Sequence, residues 1–298
     1  MSGRGKKKTA ARIAAGAAAA VLLTVVIECF YLPRYLFRRE VFDISQKQPT
    51  ETVTVMSTNV RCWSPTDLFR QSWFYRAALV VENAAAAEPD IIGFQEVTPV
   101  HYRYLCQTLQ GYESVICYRD KSPLSEGCPV FYSTAAFECE DAGSFWLSET
   151  PEVMSKGWGA AFNRVCSYAI LRRRSDGQPL AVFNTHLDNV SEEARINGIK
   201  LVLKKLEAFG GMPCVLMGDL NMTPDNPLIA RLRQHMTDAA LYAAPGDPLL
   251  TFRADRPDRK IDYIFTRGNI AVKGCRVIPG ALSDHLPLEG ILECGERR

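Results

Sequence analysis

The 298-residue chain has no Cys-x-x-Cys pair and no cluster of cysteine with histidine, although it carries ten cysteines and four histidines. A structural zinc site therefore has nothing to build on, and no disulfide framework is legible. Cys166 in RVCSYAIL and Cys214 in PCVLM sit in apolar runs, where a free thiol behaves as a small hydrophobe, so reduced and buried thiols are expected. A basic excess is missing from the main body too. Residues 1–50 hold nine Lys/Arg against three Asp/Glu, which leaves 26 against 30 in the remainder. That balance argues against strong sequence-independent nucleic-acid binding without excluding a local basic groove. There is no hydrophobic hairpin suited to lipid insertion and no dense Lys/Arg loop suited to gripping a duplex. What is present, 47% hydrophobic residues with only 20 glycines, excludes disordered and collagen-like chains.

The N-terminus opens with a basic tail, residues 1–12 (MSGRGKKKTAAR), followed by an apolar run over 13–27 that Glu28 interrupts. Fifteen residues fall short of the roughly 20 that a spanning helix needs, but counting through Leu32 reaches that length with Glu28 near one interface. A transmembrane anchor over 13–36 is expected, with a cleaved signal peptide and an Ala-rich soluble helix as alternatives. The leading Lys/Arg cluster would keep the N-terminus cytoplasmic and the main domain extracytoplasmic, anchored at the cell membrane, although Arg34, Arg38 and Arg39 on the far side weaken that vote. Residues 37–52 read as a polar linker.

From residue 53 to 298 one domain is expected, because strand-like and helix-like runs alternate without a second linker or repeat. VTVMSTNV (53–60), DIIGFQEV (90–97), PLAVFNTHL (179–187), PCVLMGDLN (213–221) and KIDYIFTRG (260–268) read as strands. QSWFYRAALVVENAAAA reads as a helix stopping before Pro89. Thr98 with Pro99 opens a second helix that Gly111 ends, and Ser191 caps a third whose Ile196, Ile199, Val202, Leu203 and Leu206 form one stripe.

Polar residues gather where the strands end: Asn59, Glu96, His186, Asp219, Asn221, Asp262, Asp284 and His285. Singly each has an ordinary explanation as a cap or turn residue. Jointly they point to chemistry, because hard oxygen donors such as Glu96, Asp284 and the Asn59 amide suit Mg²⁺, with Mn²⁺ as a substitute. Two histidines among carboxylates can move protons, and a carboxylate-bound Mg²⁺ accepts phosphate oxygens, so phosphoester hydrolysis is the natural reaction.

Eight segments, STNVR, IIGFQEV, SEGCPVFY, FNRVCSYAIL, NTHLDN, LMGDLNMTP, KIDYIF and SDHLP, occur in the order found in the endonuclease/exonuclease/phosphatase family of deoxyribonuclease I-like, Mg²⁺-dependent phosphoesterases. The chain resembles that family from about Val53 to Leu292, and is most similar to bacterial members without an assigned substrate. The resemblance implies a four-layer α/β/β/α sandwich with two mixed β-sheets packed face to face. It implies Glu96 as the main metal ligand, with Asn59 and Asp284 completing a site for one or two ions. Asp219 would position or deprotonate water, Asn221 would hold a phosphate oxygen, and His285 backed by Asp262 would share the acid/base work. His186 would contact the scissile phosphate with Glu126 orienting it, and Arg164 would contact phosphate. The expected molecule is a monomeric, membrane-anchored phosphoesterase acting on a nucleic acid, a phospholipid headgroup or a small phosphorylated compound. The alternative is an inactive module on the same fold that binds a phosphorylated ligand or a partner protein. Arg61, Trp63, Trp73, Trp146 and Trp158 lie near the motifs and could meet substrate, though aromatic residues of this kind are more often core.

Overall fold

Alternation of β-branched and polar residues in the central strands, broken by amphipathic helices, builds two six-stranded mixed sheets in the computed structural model, which describes residues 3–37, 39–64, 66–280 and 283–295. In chain order the strands are β1 (Phe42–Asp43), β2 (Thr52–Asn59), β3 (Ile91–Gln95), β4 (Leu109–Gln110), β5 (Tyr112–Val115), β6 (Val130–Ser133) and β7 (Phe137–Trp146). They continue as β8 (Val165–Arg173), β9 (Pro179–His186), β10 (Cys214–Asp219), β11 (Thr237–Asp238), β12 (Asp262–Arg267), β13 (Ile270–Val277) and β14 (Leu288–Cys294). The helices are α1 (Gly3–Phe37), α2 (Trp73–Ala87), α3 (Pro99–Thr108), α4 (Glu192–Ala208) and α5 (Pro227–Leu232). One sheet runs β11-β12-β10-β9-β8-β7 and the other β13-β14-β2-β3-β6-β5.

Three apolar layers separate the elements. Val55, Ile91, Val182, Val215, Met217, Ile264 and Leu288 fill the space between the sheets. Ile199, Val202 and Leu206 press α4 onto the outer face of the first sheet, and Trp73, Val80 and Leu105 press α2 and α3 onto the second. The four-layer sandwich is therefore the architecture. Across the middle layer runs a buried polar bridge. Gln95 Nε2 donates to Asn184 Oδ1 at 2.7 Å, and Asn184 Nδ2 donates to the carbonyls of Phe94 at 2.8 Å and Pro129 at 2.7 Å. The sheets approach so closely there that a Cβ on Gly93 would meet Met217 Sδ at 2.7 Å.

Register explains why the polar strand ends meet. Asp219 pairs with His186 of parallel β9 and with Asp262 of antiparallel β12, so three neighbouring strands place these residues in one row. In the facing sheet Asn59 pairs with Gln95, one residue before Glu96.

The N-terminal expectations need correction. The basic tail and the apolar run are one helix, α1. Among the described residues no helix is long and apolar enough to cross a membrane, so α1 supplies the helix expected over 13–36 without showing a span. Residues 37–52 are not a free linker. β1 pairs in parallel with β4, Ile44 is buried, and Lys47 Nζ reaches Asp90 at 2.8 Å. Tyr35 stacks on Tyr104 with ring centroids 4.7 Å apart and meets Phe74 edge-on at 4.9 Å, which docks the end of α1 on α2 and α3. The apolar residues hidden among the polar ones, Phe42 and Ile44, carry this attachment. Residues 1, 2 and 296–298, and the side chains of Cys29, Arg34 and Arg38, lie outside the described residues. The nine cysteines described are all free, four of them buried.

Candidate active site

The strand ends open into a cavity of about 630 Å³ lined by Glu96, Glu126, Arg164, His186, Asp219, Asn221, Asp284 and His285, among others. Asn59 and Asp262, both fully buried, stand behind these residues. All ten residues predicted for the site are thus gathered at one end of the sandwich.

Asp219 is the floor. Its Oδ2 lies 3.6 Å from Nε2 of His186, 3.6 Å from Nε2 of His285 and 3.1 Å from Nδ2 of Asn59, while Oδ1 accepts from the backbone N–H of Asn221 at 2.9 Å. Gly218 lets the strand deliver it: φ is +144° there, and a Cβ would sit 1.9 Å from the carbonyl of Thr185. Burial pushes the Asp219 carboxyl up to about 7, helped by Asp262 and opposed by His285.

The two imidazoles are tuned in opposite directions. His285 Nδ1 sits 2.8 Å from Asp262 Oδ2. Burial disfavours the imidazolium, but Asp262, Asp219 and then Asp284 outweigh it and lift His285 to about 10. His186 is held well below the ordinary imidazole value, first by burial and then by Arg164, His285 and Arg119, so it is neutral. Its Nε2 contacts Asn221 Nδ2 at 3.0 Å. Asn221 adopts φ +52°, a left-handed conformation that asparagine tolerates, and its amide also donates to the carbonyl of Leu187 at 3.0 Å.

Glu96 follows β3 with φ +61°, a strained conformation for its type, which turns the carboxylate toward the cavity. Oε1 accepts from Asn59 Nδ2 at 2.9 Å and Oε2 from the backbone N–H of Cys62 at 2.7 Å. Asp284 Oδ2 lies 3.3 Å from Arg61 Nη1, and its Oδ1 is buried with no hydrogen-bond partner among the described residues. An orphaned carboxylate oxygen in the same cavity as a second carboxylate suits a hard divalent cation. The neighbouring thiol does not compete as a soft ligand, because burial and then Glu96 push Cys62 up to about 12. Asp219, Asp262 and His285 also offer ligand atoms within 4.8 Å of one another, and the contact of Nδ1 with Asp262 leaves Nε2 of His285 as its open donor atom.

Two expected contacts are not made. Asn59 does not turn its amide oxygen to the acidic cluster: Oδ1 accepts from the backbone N–H of Arg61 at 2.9 Å, and the nitrogen bridges Glu96 and Asp219, two carboxylates that both need a donor. Glu126 does not orient His186. It forms a two-pronged pair with Arg119, at 2.8 and 2.7 Å, because the guanidinium offers a closer, charged partner. Burial and then Glu96 still raise Glu126 to about 7, against Arg119 and Arg164. Arg164 lines the cavity with its Nε 3.3 Å from Asp188 Oδ2. Arg119, Asp188 and the Arg61–Asp67 pair went unread in the sequence; Asp188 in THLDN was the one with a visible signal, an acid at a strand end like the others.

A model of the Endonuclease/Exonuclease/phosphatase family matches residues 67–285. The chain belongs to that family. It is 27% identical over 176 residues to Nocturnin of Drosophila melanogaster, which covers 54% of this chain and 26% of that protein, so the chain spans about a quarter of that relative's length. Solved structures of the family align over nearly their whole length. The endonuclease/exonuclease/phosphatase from Bacteroides vulgatus has 31% identity and a TM-score of 0.76, covering 82% of this chain and 99% of its own. A mannosyl-6-phosphatase from Bacteroides thetaiotaomicron has 28% identity and a TM-score of 0.74, covering 80% and 99%.

Proposed function

We propose that the chain is a divalent-cation-dependent phosphoesterase whose catalytic domain works as a monomer and is attached to a membrane by α1. The observation that carries this reading is the Asp219 carboxylate set between a neutral and a charged imidazole, His186 and His285, in the same cavity as Glu96 and Asp284.

Glu96 and Asp284 would hold the cation, Mg²⁺ or Mn²⁺, whose charge would offset that of the phosphate oxygens. Asp219, raised to about 7, orients a water and takes its proton as the oxygen attacks phosphorus. His285, kept charged by Asp262, faces the negative charge that builds on the phosphoryl group and supplies the proton that the departing alkoxide needs. For Asn221 and neutral His186 to donate to non-bridging oxygens, the contacts of Asn221 Nδ2 with His186 Nε2 and the Leu187 carbonyl must give way to the phosphate. The P–O bond to the leaving group breaks as the bond from water forms.

Attachment through α1 is supported by its exposed apolar residues Ile13, Val21, Leu22, Leu23, Val25 and Val26. The basic residues ahead of the run favour a catalytic domain outside the cell membrane. The mannosyl-6-phosphatase among the structural neighbours favours a phosphomonoester.

The test is a panel of bis-p-nitrophenyl phosphate, p-nitrophenyl phosphate, DNA, RNA, sphingomyelin and sugar phosphates with Mg²⁺ or Mn²⁺, with and without EDTA. Hydrolysis that EDTA abolishes supports the reading. A folded chain inactive on every ester, which still binds phosphorylated compounds, would instead establish the inactive binding module.

A further inference from the structure

The cavity is far larger than a phosphate group, and one wall of it is an aromatic ring that the chemistry above leaves unused. Phe162 lines the cavity while half of it stays exposed, at 50%. One partner of the ring is already in place: the Arg119 guanidinium lies 4.6 Å from the ring centroid, with Arg164 at 5.9 Å. The ring is not on a loose tip. Ala161 donates its N–H to Asp188 Oδ2 at 3.0 Å, and Asn163 Nδ2 donates to the carbonyl of Arg119 at 3.0 Å, so both neighbours of Phe162 are tied down. Trp146 Nε1 donates to the same carbonyl at 3.0 Å, and Glu126 holds the guanidinium, which fixes the other half of the pair. The cavity lining also holds polar groups that can pair with hydroxyl or carbonyl edges, namely Asn189 and Arg164.

We propose that Phe162, backed by Arg119, is the subsite for a ring carried by the leaving group, so that the substrate is a phosphoester of a ring-bearing alcohol rather than of an acyclic one. A rigid aromatic face on a cationic support accepts either the apolar face of a sugar or the face of a nucleobase, while Asn189 and Arg164 take its polar edge. The inference rests on the phosphoesterase reading and deepens it.

The experiment uses the full chain and its Phe162→Ala, Phe162→Leu and Phe162→Tyr variants with mannose 6-phosphate, thymidine 5′-monophosphate and glycerol 3-phosphate. Both kcat/KM and calorimetric affinity are measured for each. The ratio of ring-bearing to acyclic ester is expected to fall about tenfold in the Ala and Leu variants, equivalent to about 1.4 kcal/mol, and to return in the Tyr variant. A fall confined to the sugar ester or to the nucleotide names the ring. An unchanged ratio in the Ala variant, or full retention by Leu, overturns the subsite. If no ester turns over in the wild type, the phosphoesterase reading fails, and the affinity ratios still decide the subsite by the same criterion.

Discussion

His285 and Asp262 come from segments 23 residues apart and meet at 2.8 Å, Nδ1 to Oδ2, with both groups almost wholly buried. The opposite ring nitrogen of His285 lies 3.6 Å from Asp219. One imidazole is thereby fixed in orientation and in charge by a carboxylate that never touches the cavity. Replacing Asp262 with Asn keeps the shape and removes the charge that holds the proton. Turnover of a phosphoester should drop about 10²–10⁴-fold, with the melting transition retained; steady-state kinetics beside circular dichroism checks it. A folded Asp262→Asn enzyme within tenfold of wild type would mean that His285 does not depend on this partner.

Much of this site could be read from the chain because it is built on strand ends. Asp219, His186 and Asp262 each close or open a run of apolar, β-branched residues, and register alone brings them into one row. Glu126 was assigned to the wrong partner for the converse reason. It lies in the irregular stretch between β5 and β6, where no periodicity announces that Arg119 folds back on it. The orientation of the Asn59 amide was equally illegible, since it is set by the carboxylates of Glu96 and Asp219, which arrive from elsewhere in the chain. The docking of residues 37–52 was hidden by a polar composition, within which Phe42 and Ile44 supply apolar contact and Lys47 an ion pair to Asp90.

Asn184 ties the two sheets together immediately beneath the site. Asn184→Leu removes the side-chain donor from the carbonyls of Phe94 and Pro129, the second of which keeps the Phe94 N–H at 3.1 Å, and leaves Gln95 Nε2 with only Ser57 Oγ and the Gly93 carbonyl. A buried unsatisfied group costs about 1–3 kcal/mol, and with Phe94 losing its side-chain donor a destabilisation within that range is expected in urea unfolding. A variant as stable as wild type would show that the bridge is replaceable by packing.

His101 gives the fold an acid sensitivity away from the cavity. It is fully buried, its Nδ1 accepts from the N–H of Thr98 at 3.1 Å, and burial, then Arg76, hold it well below the ordinary value of 6.5. The folded-state value is depressed, so the unfolded chain takes up the proton first as pH falls. Its contribution to stability is complete above pH 6.5 and is lost below, at up to about 1.4 kcal/mol per pH unit. Measured against His101→Gln, which does not titrate, the stability margin of wild type should shrink between pH 6.5 and 5. A margin flat over that range would mean that the imidazole protonates in place.

Membrane attachment through α1 can be examined without regard to catalysis. Alkaline carbonate extraction of cell membranes should leave the full-length chain in the pellet, and deletion of residues 1–32 should move it to the supernatant. Full-length protein recovered in the soluble fraction would leave α1 without a bilayer role, and a shortened chain in the medium would identify a cleaved leader.

The cation is the centre of the account, and Mn²⁺ can be counted directly by electron paramagnetic resonance without any substrate. Titrated into the metal-free wild-type chain, Mn²⁺ should lose its free-ion signal, and Glu96→Gln and Asp284→Asn should each weaken that binding at least tenfold while His101→Gln leaves it alone. Mn²⁺ bound equally well by all four proteins, or by none of them, would contradict a site built on Glu96 and Asp284.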